Sequence, residues 1–426
     1  MRVLVLGSGA KDHAITWWLS RSCLISGLFV ASGNYCTPDI ATKLSDVDPS
    51  SAEEVYQACV DNLIDLVIVG TEAPLLTGVI SYLEERGISV FGAPSRSVKL
   101  EDDKAFSRAF ADRHGITTPK RSFFSDIDQL KVYLERHSGD DFLIKSNTIS
   151  PSRETLHTKD TDALVDYANH LLQKGPVLLE EFIHGHSVTL TILLDKNGYL
   201  ALPLCAEYTW RGLDDITPTG GMGAICPVPI SDISREAIRE KIVKPTLYGL
   251  KVEQLAYKGV LTFSIILRSP DDPVLVDYHV RFNDPATQAF VPIIRNDLGD
   301  ICMKMQENRI NEVKLSTTDD FTIAVVLASE GYPLHTALGR RVEGLSPIKR
   351  TCIVNTAVVF SGAIDDDGEG NAVTTGGRNV TVVGRAKSIE EANRMAYETI
   401  QSLKLEGGWY REDIGNRYFA NDKYKW

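Results

Sequence analysis

The sequence has no long apolar run and no paired-cysteine spacing. No stretch of roughly 18 apolar residues occurs, which argues against a membrane span. The N-terminus has no charged segment followed by an apolar one, which argues against a secretory signal. The seven cysteines are scattered, odd in number and without CxxC spacing, so a disulfide framework and a zinc site are both disfavoured. These absences predict a cytoplasmic protein with reduced thiols.

Positive charge is also scarce. Lys and Arg total 45 against 57 Asp and Glu, and the net charge of −12 argues against general affinity for nucleic acid or an anionic membrane. A hydrophobic fraction of 43% and a charged fraction of 24% are typical of a folded, enzyme-like chain. Since 426 residues exceed one ordinary core, the length predicts about three domains.

The pattern of the N-terminal residues predicts a strand, a glycine turn and a helix. Arg2–Leu6 is an apolar run, Gly7-Ser8-Gly9-Ala10 follows it, and a helical pattern runs from Asp12 to Leu19. Free backbone N–H groups and the helix dipole at such a turn favour an anion. The third glycine of the dinucleotide fingerprint is replaced by Asp12, so an NAD site is disfavoured.

Strand and helix patterns then alternate up to about residue 100. Strands are predicted at Leu28–Ala31, Leu66–Val69 and Ser89–Phe91, and helices at Ala52–Asn62 and Leu75–Arg86. This alternation predicts a doubly wound parallel sheet. The loops Gly33-Asn34 and Thr71–Pro74 follow strand ends, where such sheets bind ligands.

The middle of the chain carries two lysines and an acidic strand in an order that suits a nucleotide. Glu101–His114 is predicted as one amphipathic helix carrying Lys104, Phe142–Lys145 as a strand, and Leu178–Ile183 as a further strand. A single lysine is more often a solvated surface charge. Only the ordered set favours phosphate neutralisation.

The most chemically loaded segment is VDYHVRFNDPATQ, residues 276–288. Asp277, His279 and Arg281 are two residues apart and share one face of an extended chain. A carboxylate and an imidazole there suit a divalent cation, and the arginine suits a carboxylate or phosphate. The alternative is a half-buried strand whose polar face meets water. The glycine-rich segment 220–223 upstream, which allows close backbone approach, favours a site.

The last hundred residues predict a small α+β domain. Strands at Phe321–Leu327 and Val380–Val383 precede a helix at Ile389–Leu403. The acidic run Asp365–Gly370 lacks the ligand spacing and terminal glutamate of an EF-hand, so a solvated hairpin tip is predicted.

Ten segments, in unbroken order along the chain, resemble the glycinamide ribonucleotide synthetase (phosphoribosylamine–glycine ligase) family of the ATP-grasp superfamily. They are VLVLGSGAKDHAI, ASGNYCT, VIVGTEAPLLTGV, EDDKAFSRAF, LIKS, LLEEFIHG, TPTGGMGAICP, VDYHVRFNDPATQ, AVTTGGRNVTVVG and REDIG. The resemblance implies three domains: a pre-ATP-grasp domain at 1–100, an ATP-grasp domain at 101–320 with a lid at about 120–185, and a C-terminal α+β domain at 321–426. Such enzymes phosphorylate a carboxylate with ATP, and an amine attacks the acyl phosphate. ATP, Mg or Mn, and small-molecule acid and amine substrates are therefore implied, for a monomer or homodimer.

The resemblance also implies roles for single positions. Lys104 and Lys145 would meet the nucleotide phosphates. The hinge that binds adenine would be Glu180, Glu181, Phe182 and Ile183. Asp277 and His279 would hold metal, and Arg281 and Asp284 would be catalytic. Substrate-binding residues would be Gly7, Gly9, His13, Gly220, Gly221, Met222, Gly223, Gln288, Gly376, Gly377 and Arg378.

Departures from the family pattern cluster in the nucleotide half. Where the family has a glycine-rich lid loop, Ser146–Arg153 contains no glycine, with Pro151 within it and Arg153 as a substitute for the missing lysine. The family's Glu-Phe-Asn becomes Asp277-Tyr278-His279. These changes indicate a divergent ligase with a different substrate. One alternative is a relative with compromised nucleotide binding, which binds a small ligand or catalyses a step without ATP. A third interpretation, the ordinary purine-pathway enzyme, is the most disfavoured, because that reaction needs the lid and metal residues that differ.

Overall fold

The computed structural model describes residues 1–148, 154–213, 215–345, 353–354 and 357–419. Within those ranges, no helix is both long enough and apolar enough to cross a membrane.

The N-terminal segment is a five-stranded parallel sheet with helices on both faces. Its elements are β1 (Arg2–Gly7), α1 (Ala10–Ser20), β2 (Gly27–Ser32), β3 (Thr42–Lys43), α2 (Ala52–Asp61), β4 (Leu66–Val69), α3 (Ala73–Leu76), α4 (Val79–Glu85), β5 (Ser89–Phe91) and α5 (Ser95–Asp102). The strand order is β3-β2-β1-β4-β5, and every pair is parallel. Alternate β1 residues belong to two different cores, Val3 and Val5 with α1, and Leu4 and Leu6 with α2 and α4. The predicted doubly wound sheet is confirmed.

Two predicted helices are broken where the backbone leaves the helical region. Gly78, with φ 79°, separates α3 from α4 within the predicted helix Leu75–Arg86. The prediction of one helix over Glu101–His114 is wrong as well. Asp103 has extended dihedrals (φ −126°, ψ 99°) and its side chain caps the next helix by accepting from the Phe106 N–H. Lys104 therefore begins a new helix, α6 (Lys104–Arg113).

The described residues between 121 and 181 (121–148 and 154–181) form a small antiparallel sheet with two helices and a core of their own. The elements are β6 (Arg121–Phe124), α7 (Ile127–Arg136), β7 (Phe142–Ser146), β8 (Thr155–Thr158), α8 (Thr161–Leu172) and β9 (Val177–Glu181), with strand order β6-β9-β7-β8. Asp126 and Asp160 cap the two helices. Phe124, Leu130 and Ile144 belong to a core cluster separate from the main ones. This unit lies within the predicted lid.

A second antiparallel sheet carries the 276–288 segment. The elements from residue 186 are β10 (His186–Leu194), β11 (Tyr199–Ala201), β12 (Ala206–Trp210), β13 (Pro218–Cys226), α9 (Asp232–Ile238), α10 (Lys244–Val252), β14 (Gly259–Ser269), β15 (Asp272–His279), α11 (Ala286–Phe290) and α12 (Leu298–Gln306). Four of the strands form a sheet in the order β11-β10-β14-β15. Asp277 and His279 are on β15, and Arg281 lies just beyond its end.

The C-terminal elements complete a sheet that begins in the middle of the chain. They are β16 (Phe321–Ala328), β17 (Val342–Glu343), β18 (Ile353–Val354), β19 (Ala357–Ser361), β20 (Ile364–Asp366), β21 (Ala372–Thr374), β22 (Arg378–Ala386), α13 (Ile389–Ser402) and β23 (Lys404–Leu405). The main sheet has the order β12-β13-β16-β22-β19-β18, so the glycine-rich strand β13 pairs directly with β16. The predicted acidic hairpin tip is confirmed, because β20 and β21 pair on either side of it.

Candidate active site

One cavity of about 780 Å³ reaches from the loop after β9 to the end of β15. Its walls come from the 121–181 unit, the β10–β14–β15 sheet and residues 411–418. Predicted site residues on the wall are Lys104, Lys145, Glu180, Glu181, Phe182, Ile183, Asp277, His279 and Arg281. Segments far apart in sequence thus meet in one space large enough for a small-molecule ligand.

Three cations and two carboxylates form a compact network at one end of the cavity. Lys104 Nζ lies 3.0 Å from Asp277 Oδ1, and Lys145 Nζ lies 2.8 Å from Glu180 Oε2 and 3.2 Å from Asp277 Oδ2. Arg108, which the sequence did not single out, donates from Nε to Glu180 Oε1 at 2.7 Å and reaches Asp277 Oδ1 at 3.4 Å. Burial raises the pKa of both carboxyls, but the cations outweigh it and hold each pKa below its usual value.

The segment that follows β9 continues the wall of the cavity beyond Glu180. The strand stops at Glu181, so the prediction of a strand through Ile183 is wrong for its last two residues. The Phe182 N–H donates to the Asp141 carbonyl at 2.9 Å, and its ring stacks on His157 with centroids 3.6 Å apart. Ile183 is 8% exposed and lines the cavity, and its N–H donates a hydrogen bond to no described residue.

Arg281 lies where the cavity meets the N-terminal sheet. Its Nη2 atom is 2.9 Å from Glu101 Oε1 and 2.9 Å from Glu72 Oε1, while its buried Nε has no partner in the described structure. Burial raises the pKa of Glu101, but Arg281 and His279 reverse this and lower it to about 2. Sequence reasoning missed both glutamates as partners. The available signal for Glu72 was its place in the loop after β4.

Asp277 and His279 have partners that differ from those of a metal site. His279 Nδ1 lies 3.1 Å from Glu101 Oε1, and its Nε2 lies 3.1 Å from Ser264 Oγ. The described residues contain no group of three or more His, Cys, Asp or Glu side chains able to hold a metal ion. Both imidazole nitrogens of His279 already have protein partners, and Asp277 is paired with Lys104, Lys145 and Arg108, so the donor set does not fit the protein-bound metal that the family pattern implies.

The glycine-rich strand packs tightly against the turn after β15. A Cβ atom placed on Gly221, whose φ is 107°, would lie 2.5 Å from the Asp284 carbonyl oxygen. Arg378 Nη1 donates to the Gly220 carbonyl at 2.6 Å and to Asp284 Oδ1 at 2.9 Å. Residues 219–224 and 277–288 thus face each other, as the sequence suggested they could, and only glycine allows this approach.

Other predicted substrate residues support this turn from behind. Gln288 is fully buried and donates to Asp284 Oδ1 at 2.9 Å. Met222 is fully buried against Val326 and Ala328, and side chains at Gly223, Gly376 and Gly377 would collide with neighbours. The Met222 side chain packs in a core, so a contact with substrate would have to come from its backbone, and the contact stays a prediction.

The N-terminal turn approaches the same place. A Cβ on Gly9 would lie 4.0 Å from Asp284 Oδ2, and the Asp12 carboxylate accepts the Gly9 N–H at 2.8 Å. Asp12 is 2% exposed, its Oδ1 has no described partner, and burial raises its pKa to about 6. Gly7 is required here because a Cβ would lie 2.3 Å from Asp12 Oδ2.

His13 is held by the C-terminal sheet, and its predicted contact with a sugar phosphate stays a prediction. It is 3% exposed, and its Nδ1 accepts the Ser361 N–H at 2.9 Å. Its ring meets Phe360 edge to face. Burial lowers the pKa of this imidazole to about 4. The neutral side chain ties α1 to the C-terminal sheet. The predicted contributions of Pro151 and Arg153 lie outside the described residues.

Three family models match consecutive parts of the chain. They are the phosphoribosylglycinamide synthetase N domain over residues 1–101, the ATP-grasp (A) domain over 102–287 and the C domain over 322–417. The phosphoribosylamine–glycine ligase of Vibrio parahaemolyticus is 29% identical, with 100% of both chains covered. That of Caldanaerobacter subterraneus is also 29% identical over 98% of this chain and 100% of the relative. The crystal structure of phosphoribosylamine–glycine ligase from Thermotoga maritima superposes with a TM-score of 0.79 at 24% identity, covering 97% of this chain and all of that one.

Fold and cavity therefore define an ATP-grasp enzyme, a ligase that forms C–N bonds. Enzymes of this class use ATP together with a divalent metal. More narrowly, the chain belongs to the phosphoribosylglycinamide synthetase family, and the resemblance drawn from sequence motifs is confirmed.

Proposed function

We propose that this chain joins the carboxylate of glycine to the amine of phosphoribosylamine, with ATP as the activating substrate. The observation that carries the proposal is the single cavity that connects the Lys104 and Lys145 end to Arg281, with the Gly221–Asp284–Arg378 contact beside it. The expectation of a different substrate gains no support from the comparisons, because curated full-length relatives carry one name.

In the half of the cavity near Lys104 and Lys145, ATP would be bound by backbone groups and by cations. The Ile183 N–H suits a ring nitrogen of adenine, and Lys104 and Lys145 suit the phosphates. A carboxylate oxygen of glycine attacks the terminal phosphorus of ATP, and ADP leaves with the electron pair of the broken bond. No nucleophilic side chain is needed, because positioning and charge neutralisation supply the catalysis.

The part of the cavity in which the acyl phosphate would react with the amine would be built around Arg281. Its guanidinium is held by Glu101 and Glu72 at 2.9 Å each, and its Nε keeps an unused donor. The amine nitrogen attacks the acyl carbon, phosphate leaves, and the nitrogen gives up a proton. A fixed arginine stabilises the oxygens on which charge accumulates without reorganising.

The test is formation of the amide with ADP release. Purified protein receives ATP, glycine and phosphoribosylamine generated from ribose 5-phosphate and ammonia, with ADP and product followed by mass spectrometry. We expect Arg281→Ala to lower kcat/KM by about 10²–10³-fold, the range for losing one oxyanion donor. Arg268→Ala, which removes an exposed arginine from the same hairpin, is the control. Product absent from wild type, or turnover retained in Arg281→Ala, contradicts the proposal.

A second candidate is a relative that no longer uses ATP. It is favoured by one observation, that Lys104 and Lys145 already have carboxylate partners within 3.2 Å. Calorimetric titration separates the two, since micromolar ATP binding excludes this candidate and silence at millimolar ATP supports it.

A further inference from the structure

His279, whose imidazole replaces an amide of the family pattern, has a protein partner at each of its two ring nitrogens. His279 Nδ1 faces Glu101 Oε1, and Nε2 faces Ser264 Oγ, each at 3.1 Å. Glu101 is fixed in turn, since its Oε2 accepts the Val280 N–H at 2.8 Å and its Oε1 meets Arg281. A neutral imidazole has one lone pair to offer, and here that lone pair has a hydroxyl partner. Binding of a metal at His279 therefore requires the loss of an existing hydrogen bond.

The carboxylate that replaces the family's glutamate is enclosed by positive charge. Lys104 and Lys145 lie 3.0 and 3.2 Å from its two oxygens, and Arg108 Nη2 lies 3.4 Å from Oδ1. The lysines have flexible stems and can turn toward a phosphate. Arg108 is 1% exposed and also holds Glu180 and the Val276 carbonyl, so it cannot withdraw. A divalent ion on Asp277 would sit close to this fixed cation in a poorly screened place.

The donor chemistry points the same way. Mg²⁺ requires near-octahedral oxygen ligands, and Asp277 with His279 supplies one carboxylate and one nitrogen. The residues present thus suit a cluster of protein cations better than a bound metal.

We propose that this chain has exchanged its protein-held metal for its own cations. On this proposal, which rests on the proposed ATP-dependent function, Lys104 and Lys145 neutralise the phosphates while Arg108 fixes their carboxylate partners. His279 then acts as a positioning residue that keeps Glu101 beside Arg281. Any divalent ion in the site arrives on the nucleotide and is held by its phosphates.

Manganese counting tests the proposal without relying on turnover. Mn²⁺ is titrated against the intact protein, first alone and then with a non-hydrolysable ATP analogue, and bound ion is measured by loss of the free-ion EPR signal. We expect no binding to the protein alone and one Mn²⁺ for each bound analogue. Two Mn²⁺ per analogue, or an ion bound to the protein alone and lost in His279→Ala, overturns the proposal.

A positioning role for His279 predicts a second readout. His279→Ala should leave the Mn²⁺ count and the analogue affinity within twofold of wild type, while kcat falls at least tenfold with KM for ATP unchanged. A loss of one Mn²⁺ in this variant contradicts the proposal.

Failure of the proposed function remains distinguishable. If the analogue does not bind at all, the ligase proposal falls, and the titration with Mn²⁺ alone still decides whether Asp277 and His279 hold a metal.

Discussion

Replacing Arg108 with glutamine tests whether a buried guanidinium holds the phosphate end of the cavity together. The Arg108 side chain is 1% exposed and contacts Glu180 at 2.7 Å and Asp277 at 3.4 Å. Removing one partner of a buried ion pair costs about 3–5 kcal/mol. Because Lys145 and Lys104 remain as partners of the two carboxylates, we expect the lower end, about 3 kcal/mol off the free energy of unfolding.

Arg113→Gln is the matched control. Arg113 lies on the same helix and also pairs with a glutamate, Glu253 at 2.8 Å, but its side chain is 47% exposed. Exposed pairs contribute about 0–1 kcal/mol, so this variant should unfold almost as wild type does. Urea unfolding followed by fluorescence measures both variants. ATP titration should also show about tenfold weaker binding for Arg108→Gln, which corresponds to about 1.4 kcal/mol, because the freed carboxylates compete with phosphate for the lysines. Equal unfolding midpoints for the two variants would refute the reasoning.

Two further predictions concern the junction between the N-terminal turn and Asp284. Gly221→Ala should destabilise the protein by about 1–3 kcal/mol more than Gly139→Ala in thermal or urea unfolding, because both glycines have positive φ but only a Cβ at Gly221 meets backbone, 2.5 Å from the Asp284 oxygen; equal effects would contradict the steric argument. Asp12→Asn should flatten the pH dependence of stability between pH 4 and 6. Burial raises the pKa of this carboxyl from 3.8 to about 6, so the stabilisation is present below pH 4 and is lost as the pH rises through 6, by about 3 kcal/mol at 1.36 kcal/mol per pKa unit. An unchanged profile in urea unfolding across this range would show that Asp12 does not titrate as the structure implies.

Local patterns in the sequence were enough to predict the elements but not their interruptions. The alternation of apolar strands and amphipathic helices identified the parallel sheet, because each element's period is a local property. The helix breaks at Asp103 because its side chain caps the next helix instead of continuing the first one. A distant loop favours this break, since the Lys104 N–H donates to the Asn147 carbonyl at 2.8 Å. Because Lys104 and Asn147 are 43 positions apart, their contact does not alter the pattern of apolar residues near residue 103, and the sequence pattern could not predict the break.

The same limit applies to the candidate site. Strand parity placed Asp277, His279 and Arg281 on one wall of a cavity, as it should. The two-residue alternation of side chains along a strand does not reveal which charges from other segments face that wall. Here those charges are Glu101 and Arg108, which come from separate helices, α5 and α6. Sequence reasoning therefore interpreted Asp277 and His279 by their own ligand preferences. In the folded chain their chemistry is decided by these two neighbours, because Glu101 takes one nitrogen of the imidazole and Arg108 adds a fixed positive charge beside the carboxylate.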